Sequence, residues 1–303
     1  MATLKALTLA GGALLVLTRF AGAADLLPPP PALEPLPAAM APEFSGWYLR
    51  GDVGISGNAT PAQLVNTPNP LPGTNPGGFA YSAATTQGFS NTTLSGSGMF
   101  DFGVGYQFNP WLRGDVTVEY RNGGHLQSLW TLNDPTPPTT QYADFYRADT
   151  SSLIGLFNAY ADLGTWYGIT PFVGAGIGFA RNTLFGFTDQ GFGYYTGASL
   201  GPSGGYFDNH TTDNFAWALM TGLDFNVTQN LKLELGYRYL NMGKIATGGS
   251  NCLSGSCSGG VTNYVSSKNT LASNDFRLGL RWMISEQPTY APAPEPAPLV
   301  RKY

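Results

Sequence analysis

Residues 112–121 read as two interleaved sets: Leu112, Gly114, Val116, Val118 and Tyr120 alternate with Arg113, Asp115, Thr117, Glu119 and Arg121. A period of two places one set on each face of a strand, here one apolar face and one charged face. The same alternation recurs at 47–56, 98–108, 151–163, 169–181, 214–226, 231–241 and 274–284, so the chain reads as eight strands. Any fold for it must house eight such two-faced segments.

Parity cannot say which face points inward, but side-chain size can. One set is bulky: Phe100, Phe102, Val104, Tyr106 and Phe108; Phe215, Trp217, Leu219, Leu223 and Phe225; Leu231, Leu233, Leu235, Tyr237 and Tyr239. The other is small or charged: Asp101, Gly103 and Gly105; Gly174, Gly176 and Gly178; Lys232, Glu234, Gly236 and Arg238. Eight bulky faces cannot fit inside a barrel whose interior is only wide enough for side chains to fill, so they face outward, toward lipid. Gly174, Gly176 and Gly178 do not form a dinucleotide loop, because Phe179 stands at the third glycine position and no helix pattern follows.

The connections alternate in length. Strands two and three are joined by Asn109, Pro110 and Trp111, four and five by 164–168, and six and seven by 227–230. The links after strands one, three, five and seven run to roughly 25 to 40 residues rich in Gly, Ser, Thr, Asn and Pro, as extracellular loops do opposite short periplasmic turns. Aromatic residues sort with the rims: Trp47, Trp111, Trp166, Tyr167 and Trp282 at the short-turn rim, and Tyr120, Trp217 and Tyr239 toward the long-loop rim. Two such belts are expected at the two membrane interfaces. The fold expected is all-β, an eight-stranded antiparallel transmembrane β-barrel in the outer membrane, with four long extracellular loops and both termini periplasmic.

The ends differ from the body. Residues 1–24 carry Lys5, an apolar core over 7–17 and the small residues Ala21, Gly22, Ala23 and Ala24, as a secretory signal does, with cleavage expected after Ala23 or Ala24. A Pro-rich periplasmic linker follows over 25–45, the barrel occupies 46–285, and a second Pro-rich tail covers 286–303; 12 of the 23 prolines lie in these tails, where extended chain tolerates them. Removing Lys5 and Arg19 with the signal leaves 13 basic against 19 acidic residues, a balance that argues against nucleic acid.

Charges of inward parity are Arg50, Asp52, Asp101, Arg113, Asp115, Glu119, Arg121, Asp162, Asp224, Lys232, Glu234, Arg238, Arg277 and Arg281. Seven are basic and seven acidic, which predicts a salt-bridged plug rather than an ion-selective pore. A narrow channel for small solutes through mobile pairs is the alternative. No catalytic, cofactor or metal constellation is expected. The histidines, His125 and His210, fall in the expected long loops after strands three and five; His125 with Ser128 would be the remnant of a lipid A-modifying enzyme, the least favoured reading. Cys252 and Cys257, within the last long loop, read as a disulfide in an oxidising envelope, since metal binding needs more ligands than the loop offers.

Gly46-Trp47-Tyr48-Leu49-Arg50-Gly51-Asp52-Val53-Gly54 at the barrel start, with 112–121, 171–178, 233–239 and 276–284, resembles the small alphaproteobacterial porin-like outer-membrane proteins, relatives of the OmpA transmembrane barrel and the opacity proteins. The resemblance implies insertion by the outer-membrane assembly machinery, contact with outer-membrane lipid and lipopolysaccharide, and surface-exposed antigenic loops with a structural, adhesive or weakly porin-like role. The Pro-rich tails depart from that pattern, and no peptidoglycan-binding domain of ordinary size fits in the second. An envelope-structural or surface-interaction role through the loops, whose partners the residues do not name, is the functional expectation.

Overall fold

The computed structural model describes residues 45–58, 63–67, 75–252 and 264–284, and they contain no helix. The strands are β1 (Gly46–Asn58), β2 (Leu64–Thr67), β3 (Thr86–Leu94), β4 (Ser97–Asn109), β5 (Leu112–Asp134), β6 (Thr140–Asp162), β7 (Ile169–Tyr195), β8 (Ala198–Phe207), β9 (His210–Asn226), β10 (Leu231–Gly243), β11 (Ser250–Cys252), β12 (Tyr264–Ser267) and β13 (Leu271–Met283). Eight of them close a ring in the order β1-β4-β5-β6-β7-β9-β10-β13, and β13 pairs back onto β1 from Tyr48↔Met283 to Asn58↔Ser273. Every pairing in the ring is antiparallel, and closure leaves the ring no unpaired edge.

The short turns are built from residues that satisfy their own backbone. Asn109 Oδ1 accepts hydrogen bonds from the amides of Trp111 (3.0 Å) and Leu112 (2.8 Å), an Asx turn that reverses β4 into β5. Thr228 Oγ1 does the same for Asn230 (3.3 Å) and Leu231 (3.0 Å) between β9 and β10. The outer wall of the ring is apolar: Phe102, Phe157 and Phe215 are 68%, 67% and 65% exposed, amid Val53, Val104, Val118, Ile177, Leu219 and Leu278. A continuous wall of this kind is untenable in water and natural against hydrocarbon.

The opposite end departs from the expectation of long irregular loops, because three of the barrel strands continue as strand. The third, fourth and fifth, β5, β6 and β7, run for 23, 23 and 27 residues. The part of β5 beyond Tyr120 adds roughly 45 Å of chain at about 3.3 Å per residue. On this extension β3 pairs with β5, β8 with β7 and β11 with β8, while β2 and β12 form a separate two-stranded ribbon. His125 therefore lies on β5 and His210 begins β9, rather than either lying in a loop.

A change of facing separates the two halves. Gly123, at φ +94°, sits in a bulge between Asn122 and Gly124, and Gly186, at φ +62°, sits at the matching irregularity on β7. An extra residue in a strand turns every later side chain to the other face. On β5 the buried residues are Arg113, Asp115, Thr117, Glu119 and Arg121 below the bulge, and Leu126, Ser128, Trp130, Leu132 and Asp134 above it. Thus on β5 the even-numbered Val116, Val118 and Tyr120 face outward in the ring, whereas the even-numbered Leu126, Trp130 and Leu132 face inward in the extension.

Candidate functional site

The lumen is where the chain concentrates its charge. Arg50, Asp52, Asp101, Arg113, Asp115, Glu119, Arg121, Asp162, Asp224, Glu234, Arg238, Arg277 and Arg281 are buried inside the ring, and Lys232 is half-buried near its short-turn end. Register sets like beside like: Asp52, Asp101 and Glu119 adjoin across β1, β4 and β5, Asp224 adjoins Glu234, and Arg281 stands between Arg50 and Lys232. Directly opposed like charges on adjacent strands are destabilising. Compensation must therefore come from other directions, along a strand, diagonally between neighbours or across the ring.

It does. Arg50 donates to Asp52, and also to Asp115, Glu234 and the Tyr160 hydroxyl, each at 2.9 Å. Arg277 donates to Asp52 at 2.7 Å and to Asp101, and Arg281 donates to Asp224 and, at 3.2 Å, to Gln107. Arg238 donates to Glu119 at 2.5 Å and to Asp275 at 2.9 Å, and Arg121 donates to the same two carboxylates. Arg113 donates to Asp162 at 3.0 Å, while its outer nitrogens stand 3.4 Å from Glu234 and 3.7 Å from Asp224, at ion-pair rather than hydrogen-bond range. Its guanidinium also lies 4.1 Å from the Tyr160 ring centre and 4.7 Å from that of Phe172.

Two of these contacts, Arg238–Glu119 and Arg113–Glu234, join β10 to β5, which are four strands apart in either direction around a ring of eight. They cross the full width of the lumen. Asp275 is an interior charge absent from the set read by parity, although it shares the parity of Arg277 and Arg281; it is fully buried and holds both Arg121 and Arg238. Interior glycines seat the larger groups: a Cβ at Gly105 would collide with the Tyr48 ring, one at Gly176 with Asn158, and one at Gly279 with Asp52.

Above the charges the interior turns apolar. Leu126, Trp130, Leu132, Tyr146, Phe187 and Phe207 are buried together within the extension, with Phe187 and Phe207 ring centres 4.8 Å apart and Tyr146 5.4 Å from Phe187. Leu64 of β2 and Val265 of β12 join this cluster, so the small ribbon packs onto it. Two carboxylates face inward among these residues: Asp189 lies opposite Tyr146, whose hydroxyl bonds it, and Asp144 lies opposite Gly191. Burial, with Asp189 nearby, pushes Asp144 up to about 7, and burial pushes Asp189 up to about 6 against the opposing hydrogen bond from Tyr146.

His125 points outward and contacts Asp149 through Nδ1 at 2.5 Å. Ser128 points inward, bonded to Thr92 Oγ1 at 2.7 Å, so the two sit on opposite faces of one strand and form no nucleophile–base pair. His210 is exposed at the start of β9. Trp47, Trp111, Trp166, Tyr167 and Trp282 are exposed at the short-turn end, and Trp217 stacks on Tyr239 at 5.5 Å toward the other. Cys252 ends β11, whereas Cys257, and with it the expected Cys252–Cys257 disulfide, lies outside the described residues, as do the expected signal peptide (1–24), almost all of the expected linker (25–45) and the expected C-terminal tail (286–303).

With this geometry in view, comparison with known proteins is direct. The family model for the outer membrane protein beta-barrel domain matches residues 32–283. The chain is 34% identical over 231 residues to an uncharacterized protein of Brucella suis biovar 1 (strain 1330), covering 73% of this chain and 76% of that one. It is 26% identical to the outer membrane protein PagN of Salmonella typhimurium, covering 81% and 92% of the two chains, and 30% identical to a candidate adhesin of Rickettsia canadensis, covering 51% and 62%. The protein is an outer-membrane β-barrel, and the chain belongs to the outer membrane protein beta-barrel domain family.

Proposed function

We propose that this protein is a closed surface scaffold: a barrel whose membrane part holds it in the outer membrane and whose extracellular extension makes contact with other surfaces. The observation that carries this is the pair of ion contacts, Arg238–Glu119 and Arg113–Glu234, that bridge opposite walls. A lumen crossed by buried, compensated pairs is costly to open, because separating one leaves two unpaired charges out of water. The narrow-porin reading needs a continuous polar path, and the aromatic cluster above the charges blocks that path a second time. The separation of His125 from Ser128 weighs against the lipid A-modifying reading. Trp47, Trp111, Trp166, Tyr167 and Trp282 at one end, and Trp217 with Tyr239 at the other, serve as the interfacial belts that set the barrel's depth against lipid and lipopolysaccharide.

The extension gives the scaffold its reach, since β5, β6 and β7 carry a packed sheet well beyond the outer belt. The relative from Rickettsia canadensis, described as a candidate adhesin, supports reading this surface as adhesive. The test is display of the full chain on a non-adherent laboratory bacterium, with surface folding verified by heat-modifiable gel mobility, followed by counting bacteria bound to cultured mammalian cells. Several-fold more adherence than the empty strain is expected. Folded, displayed protein with no gain in adherence would overturn the adhesive reading.

A further inference from the structure

Three neighbouring strands of the extension present a lattice of side chains on their outer face. Register aligns Phe145 of β6, Gln190 of β7 and Gly204 of β8 in one row; Ala143, Phe192 and Pro202 in the next row outward; and Arg147, Thr188 and Tyr206 in the row nearer the membrane. Phe145, Phe192 and Tyr206 are 53%, 46% and 45% exposed. Gly204 lacks a side chain among larger neighbours, and a groove of ≈480 Å³ opens beside it, its outward lining being Thr188, Gln190, Phe192 and Pro202. The nine lattice positions hold no carboxylate and a single cation, Arg147, at one corner; Asp189, of inward parity, also lines the groove.

That set of groups has a chemical meaning. Three partly exposed rings around a notch offer flat apolar surface, while the Gln190 amide and Thr188 hydroxyl offer neutral donors and acceptors beside it. A sugar ring has the matching character, with a patch of C–H groups on its face and hydroxyls at its edge. Strands spaced about 4.8 Å apart make the three-strand width roughly 10 Å, enough for one or two pyranose rings. Arg147 could pair with an acidic substituent at one end.

Position selects the source of the sugar. Phe145 lies on β6 beyond Leu153, whose outward face belongs to the lipid-facing wall. At about 3.3 Å per residue and a strand tilt of about 40°, the lattice stands roughly 20 Å above the outer belt. It is continuous with the wall below, on the same strands, and faces sideways rather than toward the tip. A sideways face at that height is surrounded by the saccharide layer of the membrane in which the barrel sits. We infer that the lattice around Gly204 binds sugar rings of the membrane's own lipopolysaccharide core, holding the extension upright within that layer.

The test uses the full chain refolded in detergent micelles and core oligosaccharide freed of lipid A by mild acid, with saturation-transfer NMR as the readout. Transfer to sugar protons is expected for the wild type, with at least a tenfold weaker affinity in Phe192→Ala and in Gln190→Ala. Both positions are exposed, and retained heat-modifiability reports that each variant is folded. Phe157→Ala, on the lipid-facing wall, should bind as the wild type does. No transfer in the wild type, or equal affinity in all three variants, would refute the site. Binding of heparin in place of core oligosaccharide, abolished by the same substitutions, would assign the lattice to a host polysaccharide and overturn the proposal as made. Loss of adherence with oligosaccharide binding intact would count against the adhesive role alone.

Discussion

Arg113 shows how much one residue carries. Its guanidinium meets Asp162, approaches Glu234 and Asp224, and lies over Tyr160 and Phe172, with no exposure to solvent. Arg113→Met fills similar volume but strands the charge of Asp162, while Glu234 keeps Arg50 and Asp224 keeps Arg281, and removing one partner of a buried pair typically costs about 3–5 kcal/mol. That loss is expected in urea unfolding of the vesicle-embedded barrel, and adding Asp162→Asn should restore part of it by removing the stranded charge. The exposed pair Arg181–Asp213 is the control, since Arg181→Ala should cost less than about 1 kcal/mol. A wild-type midpoint for Arg113→Met would show that the cluster contributes nothing to stability. The buried charges of the ring were legible because parity within a transmembrane strand is strict; Asp275 obeyed it as well, and only its place near the start of β13 hid it beside the more obvious Arg277 and Arg281. What parity could not supply was the partner: like charges adjoin on neighbouring strands, so the pairs form along a strand, diagonally, or, as in Arg238–Glu119, between strands that face one another across the ring.

At the scale of elements, the eight transmembrane strands were readable from alternation and their three short turns from Asn109, Pro110, Gly164, Gly168 and Thr228, whereas the extension was not. Asn122-Gly123-Gly124 has the composition of a turn, and here the same glycine serves a bulge that lets β5 continue with its faces exchanged. Along β5 the extension thus turns His125, Gln127, Thr131 and Asn133 outward and Leu126, Trp130 and Leu132 inward, while Asp144 and Asp189 are carboxylates caught on the inner side of its neighbours. In an unfolded segment both would titrate near pH 4, as free aspartates do. Folding raises both, so between about pH 4 and pH 7 the folded extension holds more protons, and its stability falls as pH rises through that window. Limited proteolysis of the vesicle-embedded protein should therefore cut the extension several-fold faster at pH 8 than at pH 5, with the ring intact at both. Asp144→Asn combined with Asp189→Asn should flatten that difference; an unchanged pH dependence in the double variant would place its origin elsewhere.

The whole molecule is closed twice by unlike means. In the membrane part, eight buried carboxylates, including Asp275, face six buried arginines and the half-buried Lys232, and they bridge opposite walls. In the extension β5, β6 and β7, with β3 and β8 alongside, hold Trp130, Tyr146, Phe187 and Phe207 on their inner side, with the β2–β12 ribbon packed on them. A hydrated ion entering from outside must first lose its water among aromatic rings and then displace compensated charges, and either step alone is a large barrier. Planar-bilayer recordings of the pure protein should accordingly show no stable, salt-dependent steps. The two closures are separable by substitution. Glu119→Ala with Arg238→Ala removes a pair that spans the lumen while leaving the aromatic cluster whole, so this variant should also be silent if the upper closure seals independently. Steps in the double variant alone would reduce the seal to the ion pairs; steps in the wild type would mean that the pairs exchange partners readily enough to conduct, and the narrow-porin reading would then replace the scaffold.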